Sequence, residues 1–151
     1  MTDNIIEMKI VYMLVVGTFA SMFSYLNIDS ELLGLYSVLM FLDLMTGIAA
    51  AMIHREDITL TRLGAGILSK LIMFIVPITV AILVKIQGSE LLWFTKWTLI
   101  VLASSEAISI LNNVLKAKGQ KTLPEFDAIS LIASKIREVL EKLFDKGKGN
   151  V

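Results

Sequence analysis

Four long apolar runs with almost no charge constrain this chain more than any other feature of its sequence. Each run holds about 19 to 25 residues. At a helical rise of about 1.5 Å per residue, each is long enough to cross most or all of the roughly 30 Å hydrocarbon core of a bilayer. The sequence therefore predicts an all-α membrane protein with four transmembrane helices. The predicted spans cover about residues 10–28, 32–53, 63–84 and 91–115.

The composition agrees with a membrane protein and weighs against several classes of enzyme. Hydrophobic residues make up 56% of the chain and charged residues 19%, whereas soluble domains have about 45–50% and about 25%. The chain has no cysteine and one histidine, which excludes a disulfide framework, a thiolate metal site and a cysteine nucleophile. These absences disfavour hydrolase and zinc chemistry, and we expect no catalytic residues, no metal, no cofactor and no nucleic-acid partner.

The basic residues indicate the side of the membrane that each connection occupies. With four spans, the side that holds both termini has eleven basic residues, namely Lys9, Arg55, Arg62 and the eight in residues 116–151, whereas the opposite connection has Lys85. Because Lys and Arg concentrate in cytoplasmic connections, both termini are predicted to be cytoplasmic. Aromatic residues support the same orientation, since four of them fall near the predicted outer boundary, where such rings prefer to lie. These four are Tyr25, Tyr36, Trp93 and Trp97.

The fourth run is the most polar of the four and leaves a second topology open. It contains Glu106, Asn112 and Asn113. In a three-span alternative, either the fourth or the first run lies at the membrane interface, which would move the tail to the outer side. That arrangement disagrees with the distribution of basic residues.

Residues 116–151 form a tail that differs in character from the membrane domain, residues 1–115. The tail opens with a basic linker and continues as an amphipathic pattern to about Phe144, and we expect both to be cytoplasmic. Thr122 and Glu125 match a capping box, which predicts that the helix begins there. The apolar positions of the pattern recur at spacings of three and four: Ile129, Ile132, Ile136, Leu140 and Leu143.

The role of the tail has three readings. Its basic residues favour an anionic membrane surface, although Glu138 and Glu141 weaken a purely lipid-binding reading. The tail can also associate with sister subunits, which we favour, or form a packed end of the subunit.

Three ionisable residues within the apolar runs need a physical explanation. Asp43, Lys70 and Glu106 lie about ten, seven and nine residues from the inner ends of their spans, which is roughly 10 to 15 Å at helical rise. A charge at mid-bilayer costs about 2.5–3.5 kcal/mol even on lenient scales. We therefore predict a buried ionic cluster in which Lys70 pairs with one carboxylate, while the other is protonated, exposed to water or paired with a neighbouring subunit.

A polar stripe on the fourth span accompanies Glu106. It comprises Ser105, Ser109, Asn112 and Asn113, and such a stripe faces protein or water rather than lipid. It either packs the helices together or lines an aqueous path, and a site for a transported ion is a third reading.

Small residues predict close helix packing on the other spans. Thr46 and Gly47 lie near Asp43, and Gly66 precedes Lys70 by one turn. On the first span Gly17, Ala20 and Ser24 share a face, which indicates a packing surface.

Three motifs occur in order along most of the chain: FLDLMTGIAAAM at 41–52, GAGILSK at 64–70 and SSEAISILNNV at 104–114. With them the chain resembles the toxin-secretion/phage-lysis holin family, from about Ser37 into the tail. The positions that carry the resemblance are Asp43, Thr46, Gly47, Gly66, Lys70, Glu106, Ser109 and Asn113.

The resemblance implies a multi-pass protein of the bacterial inner membrane without enzyme activity. Such a protein forms homo-oligomers in the lipid bilayer and opens lesions, through which a cell-wall hydrolase (endolysin) or a toxin leaves the cytoplasm during host cell lysis. Two other classes remain as alternatives. One is a small ion channel or secondary transporter that uses Asp43, Lys70 and Glu106 as a titratable site, and the other is a scaffold whose tail recruits a partner.

Overall fold

The described part of the chain is entirely helical. The computed structural model describes residues 2–88 and 91–148, and their side chains at 6–61, 63–88 and 91–142. Within these residues there are five helices and no strand. They are α1 (Thr2–Tyr25), α2 (Ser30–Ile53), α3 (Leu60–Gln87), α4 (Leu92–Ala117) and α5 (Ala128–Lys148).

Four of these helices are long and apolar enough to cross a membrane, as predicted. The candidate spans are Ile6–Tyr25, Ser30–Ile53, Leu63–Gln87 and Leu92–Ala117. The first span ends earlier than the predicted residue 28. Asn27 adopts a left-handed φ of 54°, which breaks the helix, and the Asp29 carboxylate accepts hydrogen bonds from the amides of the first turn of α2.

The core of the bundle forms where α2, α3 and α4 meet. α2 and α4 pack along much of their length and run in the same direction, and α3 runs back between the same two ends. The buried apolar residues include Met40 from α2, Val80 and Ala81 from α3, and Leu99 and Leu102 from α4. This three-helix core fixes the positions of the charged residues described below.

Tyr36 faces the interior of the bundle rather than its surface. Its side chain is completely buried, and its ring centroid is 5.6 Å from that of Phe74 on α3. Tyr25 and Trp93, by contrast, are at least half exposed. The position of Tyr36 along the span did not reveal that it lies on the inner face of the helix, and its depth near the outer boundary stays a prediction.

The small residues of α1 are exposed in the subunit, so the packing surface predicted for them stays a prediction. Residues 6–21 are exposed along their whole length, and a Cβ built on Gly17 would meet no atom within 4 Å. Only the last turns of α1 touch the core, through Met22 and Phe23. In lipid, an apolar helix gains no hydrophobic free energy by joining its neighbours, so sequence alone does not require α1 to pack.

α5 begins later than the capping-box pattern predicted. Residues 120–127 are not helical, and the helix starts at Ala128 with Asp127 as its cap, whose carboxylate accepts a hydrogen bond from the Ser130 amide over 2.9 Å. Hydrogen bonds from Ser130 lower the pKa of Asp127 below its usual range. The prediction of a start at Thr122 was therefore wrong, because the preceding segment lies extended along α4.

The Asp127 cap gives a local prediction for the start of α5. Replacing Asp127 with Ala removes the acceptor for the Ser130 amide, and we expect that amide to exchange with deuterium about fivefold faster in the detergent-solubilised protein. Asp127→Asn keeps an acceptor and serves as the matched control. Since the pKa is lowered, the cap stabilises α5 fully above the usual Asp pKa, and the stabilisation is lost as the pH falls below it. Equal exchange in the two variants would show that Asp127 is not the cap.

Candidate functional site

Asp43 from α2, Lys70 from α3 and Glu106 from α4 meet in the bundle and form what we call the intramembrane cluster. The Lys70 Nζ atom lies 2.7 Å from Asp43 Oδ2 and also forms an ion pair with Glu106 Oε2. The prediction that the three residues cluster therefore agrees with their placement. The prediction that Lys70 pairs with only one carboxylate was wrong, because Lys70 reaches both.

The cluster is largely buried and sets two carboxyl groups against one ammonium. Asp43 is 7% exposed and Glu106 3% exposed, whereas the Lys70 side chain is 23% exposed. If both carboxyl groups were ionised, one negative charge would have no counter-ion in a place of low dielectric constant. Water that reaches Lys70, or a bound proton, would reduce the cost of that charge.

Asn113 on α4 orients the Asp43 carboxylate for Lys70. Its amide nitrogen donates to Asp43 Oδ1 over 2.9 Å and lies 3.2 Å from the Thr46 hydroxyl oxygen. The Thr46 hydroxyl in turn donates to the Asp43 carbonyl oxygen over 3.0 Å. Asn113 thus occupies one oxygen of Asp43, and the other oxygen is left to Lys70.

Gly47 leaves the room that Asn113 needs. A Cβ built on Gly47 would lie 3.5 Å from the Asn113 amide nitrogen, so a larger side chain would push Asn113 away. Gly66 on α3 has a looser surrounding, since its built Cβ would lie 3.9 Å from a Leu44 methyl group. Both distances are ordinary van der Waals contacts, and the one at Gly47 is the shorter.

A cleft of about 270 Å³ leads from the inner end of the bundle to the cluster. It lies between α2, α3 and α4. Polar and small side chains line much of it, and these include Asp43, Gly47, Gly66, Lys70, Ser109 and Lys116. The cleft is wide enough for water, and it accounts for the partial exposure of Lys70.

The polar stripe of α4 does not act as one surface in this structure. Asn113 contacts α2, and Ser109 lines the cleft. Asn112 forms a reciprocal pair of hydrogen bonds with the backbone of Leu123, with distances of 2.7 and 3.3 Å, and the Ser105 hydroxyl donates to the Phe126 carbonyl over 3.4 Å. The contacts within the subunit are packing contacts, and the lining of an aqueous path stays a prediction.

The inner ends of α2 and α4 are joined by a contact that the sequence did not reveal. The His54 Nε2 donates a hydrogen bond of 2.6 Å to the Lys116 carbonyl, and the Lys116 ammonium pairs with the Glu56 carboxylate at 2.7 Å. The contact could have been predicted from the sequence, because His54 and Lys116 both lie at the inner ends of their spans.

The described residues contain no group of three or more His, Cys, Asp or Glu side chains that could hold a metal ion. The groups at the cluster are a partly exposed ammonium, two carboxylates and an amide that fixes one of them. Such a group can hold helices together, hold water or exchange a proton.

Comparison with known proteins identifies the family. The model of the bacteriophage holin family matches residues 20–143, which include the intramembrane cluster, the polar stripe and most of α5 but only the last turns of α1. No curated protein and no solved structure matches the chain. Holins are membrane proteins of host cell lysis and are not enzymes, in agreement with the four apolar helices. Because the match covers more than half of its length, the chain belongs to the bacteriophage holin family.

Proposed function

We propose that this holin accumulates in the cytoplasmic membrane of the bacterial cell, forms homo-oligomers and opens lesions through which a phage endolysin reaches the cell wall. Family membership supports the lytic role. The single observation that carries the proposal further is the charged cluster of three helices, which connects to the inner end of the bundle through a cleft. Toxin release is the same process with another cargo.

The geometry suggests how a subunit stays harmless before lysis. In the single subunit, Asn113 and Glu106 point into the bundle, and Ser105 and Asn112 are covered by the start of the tail. Polar side chains with partners inside the subunit do not need water from a pore. Assembly above a threshold density would exchange these contacts for contacts with water and neighbouring subunits, so that polar faces line a shared opening.

The orientation and location complete the proposal. The excess of basic residues at the inner connections favours cytoplasmic termini, and the cleft then opens towards the cytoplasm, where an endolysin accumulates. In this proposal the protein opens the passage through the membrane, and the endolysin hydrolyses the cell wall.

Controlled expression in bacteria tests the role of the cluster. We expect growth to stop abruptly after a fixed delay, and expect Glu106→Ala and Asp43→Ala to change that delay at equal protein levels, because each removes one ion-pair partner of Lys70. Glu31→Ala is the matched control, since Glu31 is an exposed carboxylate on the first turn of α2. Unchanged timing in both cluster variants would contradict a role for the cluster in lysis.

A small channel or transporter is the second candidate, because the cleft leads to an ionisable cluster rather than to a purely apolar core. It predicts saturable uptake of an ion into proteoliposomes that retain all larger solutes. Lesion formation predicts that larger solutes pass as well.

A further inference from the structure

The two ends of α3 differ in how deeply they are buried. Its outer part belongs to the core of the bundle, where Val80 and Ala81 are completely buried. Its inner part, residues 60–72, has no buried residue among the described side chains, and Leu68 and Leu71 are 58% and 60% exposed. The inner halves of α2 and α4, by contrast, contain buried residues. α3 is therefore anchored at its outer part and loosely attached at its inner part.

α5 adds to the anchoring of the outer part. Ile136 and Leu140 of α5 line a small apolar groove together with Leu83 and Val84 of α3. The other apolar positions predicted for α5 are the buried Ile132, the exposed Ile129 and Leu143, whose side chain lies outside the described residues. The outer part of α3 thus has apolar neighbours on α5 as well as in the core.

A weak point in the backbone hydrogen bonding of α3 separates the two parts. Pro77 lies inside the helix, and it has no amide hydrogen to donate to the carbonyl oxygen four residues earlier. The Thr79 hydroxyl donates to the Ile75 carbonyl over 2.9 Å, and back-bonding of this kind often bends helices. Sharp bends in helices occur at such points. We call residues 73–79 the hinge of α3.

The inner part of α3 forms one wall of the cleft that leads to the intramembrane cluster. Gly66 and Lys70 line the cleft from α3, and Leu44 lines it from α2. The ion pairs of Lys70 with Asp43 and Glu106 hold this wall against α2 and α4. A bend at the hinge that moves the wall outward would widen the cleft and open these ion pairs to water.

We infer that the inner part of α3 is a gate, which swings at the hinge and exposes the intramembrane cluster to water when a lesion opens. The inference rests on the proposed function, because the exposed ammonium and carboxylates would join the polar faces that assembly brings together. In the closed subunit the ion pairs of Lys70 keep the gate shut. The outer part of α3 stays packed against the core and α5, so that the subunit opens by a hinge movement without unfolding.

Cross-linking the gate to α2 tests the inference. Leu44→Cys with Gly66→Cys places two thiols across the cleft, because a Cβ built on Gly66 would lie 3.9 Å from a Leu44 methyl group. The chain has no cysteine of its own. Treatment with a short bismaleimide before reconstitution should reduce release of an enzyme-sized solute from liposomes at least about tenfold. The single variant Gly66→Cys, treated in the same way, is the control. A cross-linked protein that releases the solute as before would overturn the inference.

Stiffening the hinge gives a second readout. Pro77→Ala supplies the missing amide hydrogen, and we expect the threshold density for release to rise at least about twofold. Ile82→Ala changes an exposed position on the outer part of α3 and is the matched control, which should leave the threshold unchanged. Equal thresholds for Pro77→Ala and the unmodified chain would contradict a hinge in α3.

Labelling inside the cleft separates the gate from the proposed function. Ser109 of α4 lines the cleft. We expect Ser109→Cys to react with a bulky maleimide at least about fivefold faster above the threshold density than in dispersed subunits, because the gate then no longer covers it. Release of the large solute without faster labelling would refute the gate alone. An unmodified chain that never releases the large solute would instead refute the proposed function.

Discussion

Replacing Lys70 with Met should leave a chain that no longer accumulates as a stable membrane protein and no longer stops growth. The substitution keeps the length of the side chain but leaves the carboxylates of Asp43 and Glu106 together without a cation. Removing one partner of a buried ion pair typically costs about 3–5 kcal/mol, which is a large share of the stability of most domains.

Restoring the charge balance should rescue the fold. A triple variant, Lys70→Met with Asp43→Asn and Glu106→Gln, contains no ion at the cluster, and neutral replacement of buried ionic groups is often harmless to stability. We expect the triple variant to give a normal yield of monodisperse protein and to unfold near the temperature of the unmodified chain. Its effect on growth then separates the structural from the functional role of the charges.

The control for Lys70 is Lys85→Met at the outer end of α3. Lys85 is exposed and contacts the Tyr25 ring, with its Nζ atom 4.7 Å from the ring centroid, an interaction worth about 0.5–1 kcal/mol at exposed sites. If Lys70→Met were no worse than Lys85→Met, the ion pairs of the cluster would not support the fold.

Replacing Gly47 with Leu should produce the second large effect. A Cβ at this position would lie 3.5 Å from the Asn113 amide nitrogen, and we expect the outer carbons of Leu to displace Asn113 from Asp43 and Thr46. Overpacking costs about 1–3 kcal/mol, and a buried polar group without its partners costs about 1–3 kcal/mol more. We expect the free energy of unfolding in detergent to fall by about 3 kcal/mol or more.

Two matched substitutions isolate the contact with Asn113. Gly47→Ala places only the tolerated Cβ there and should change stability by less than about 1 kcal/mol, helped by the better helix propensity of Ala. Gly34→Leu adds the same side chain elsewhere on α2, where a built Cβ meets no atom within 4 Å, and should be mild. Similar losses for Gly47→Leu and Gly34→Leu would mean that the fit against Asn113 is unimportant.

The intramembrane cluster was accessible to prediction because its members stand out. A charge within an apolar run is rare, and counting residues from the ends of the spans put Asp43, Lys70 and Glu106 at similar depths. That Lys70 contacts both carboxylates was not predictable, since the rotation of each helix about its axis is fixed by packing with the others.

The residues of the polar stripe have helical spacing, as predicted, but they do not share one partner. Asn112 and Asn113 are neighbours in sequence, but successive residues of a helix point about 100° apart. Asn113 therefore contacts α2, while Asn112 contacts the backbone of Leu123. The partner of Asn112 is a connection without regular structure, and no periodic pattern predicts where such a segment lies.

The tail departs from prediction for a related reason. Thr122 and Glu125 have the residue types of a capping box, yet contacts with α4 hold this segment extended, and Asp127 caps the helix instead. The contacts of this segment with α4 outweigh its local preference to begin a helix. The same contacts carry α5 back along the bundle, where sequence alone placed it beyond the inner ends of the spans.

Release of graded solutes from liposomes that contain the purified chain tests the central claim most directly. Small fluorophores and a folded protein of roughly enzyme size are enclosed together, and the protein density in the membrane is raised stepwise. We expect both to leave together above a threshold density, because assembled subunits open lesions wide enough for an endolysin. Leakage of ions alone at every density would contradict lesion formation and favour the channel, and complete retention of all solutes would contradict both.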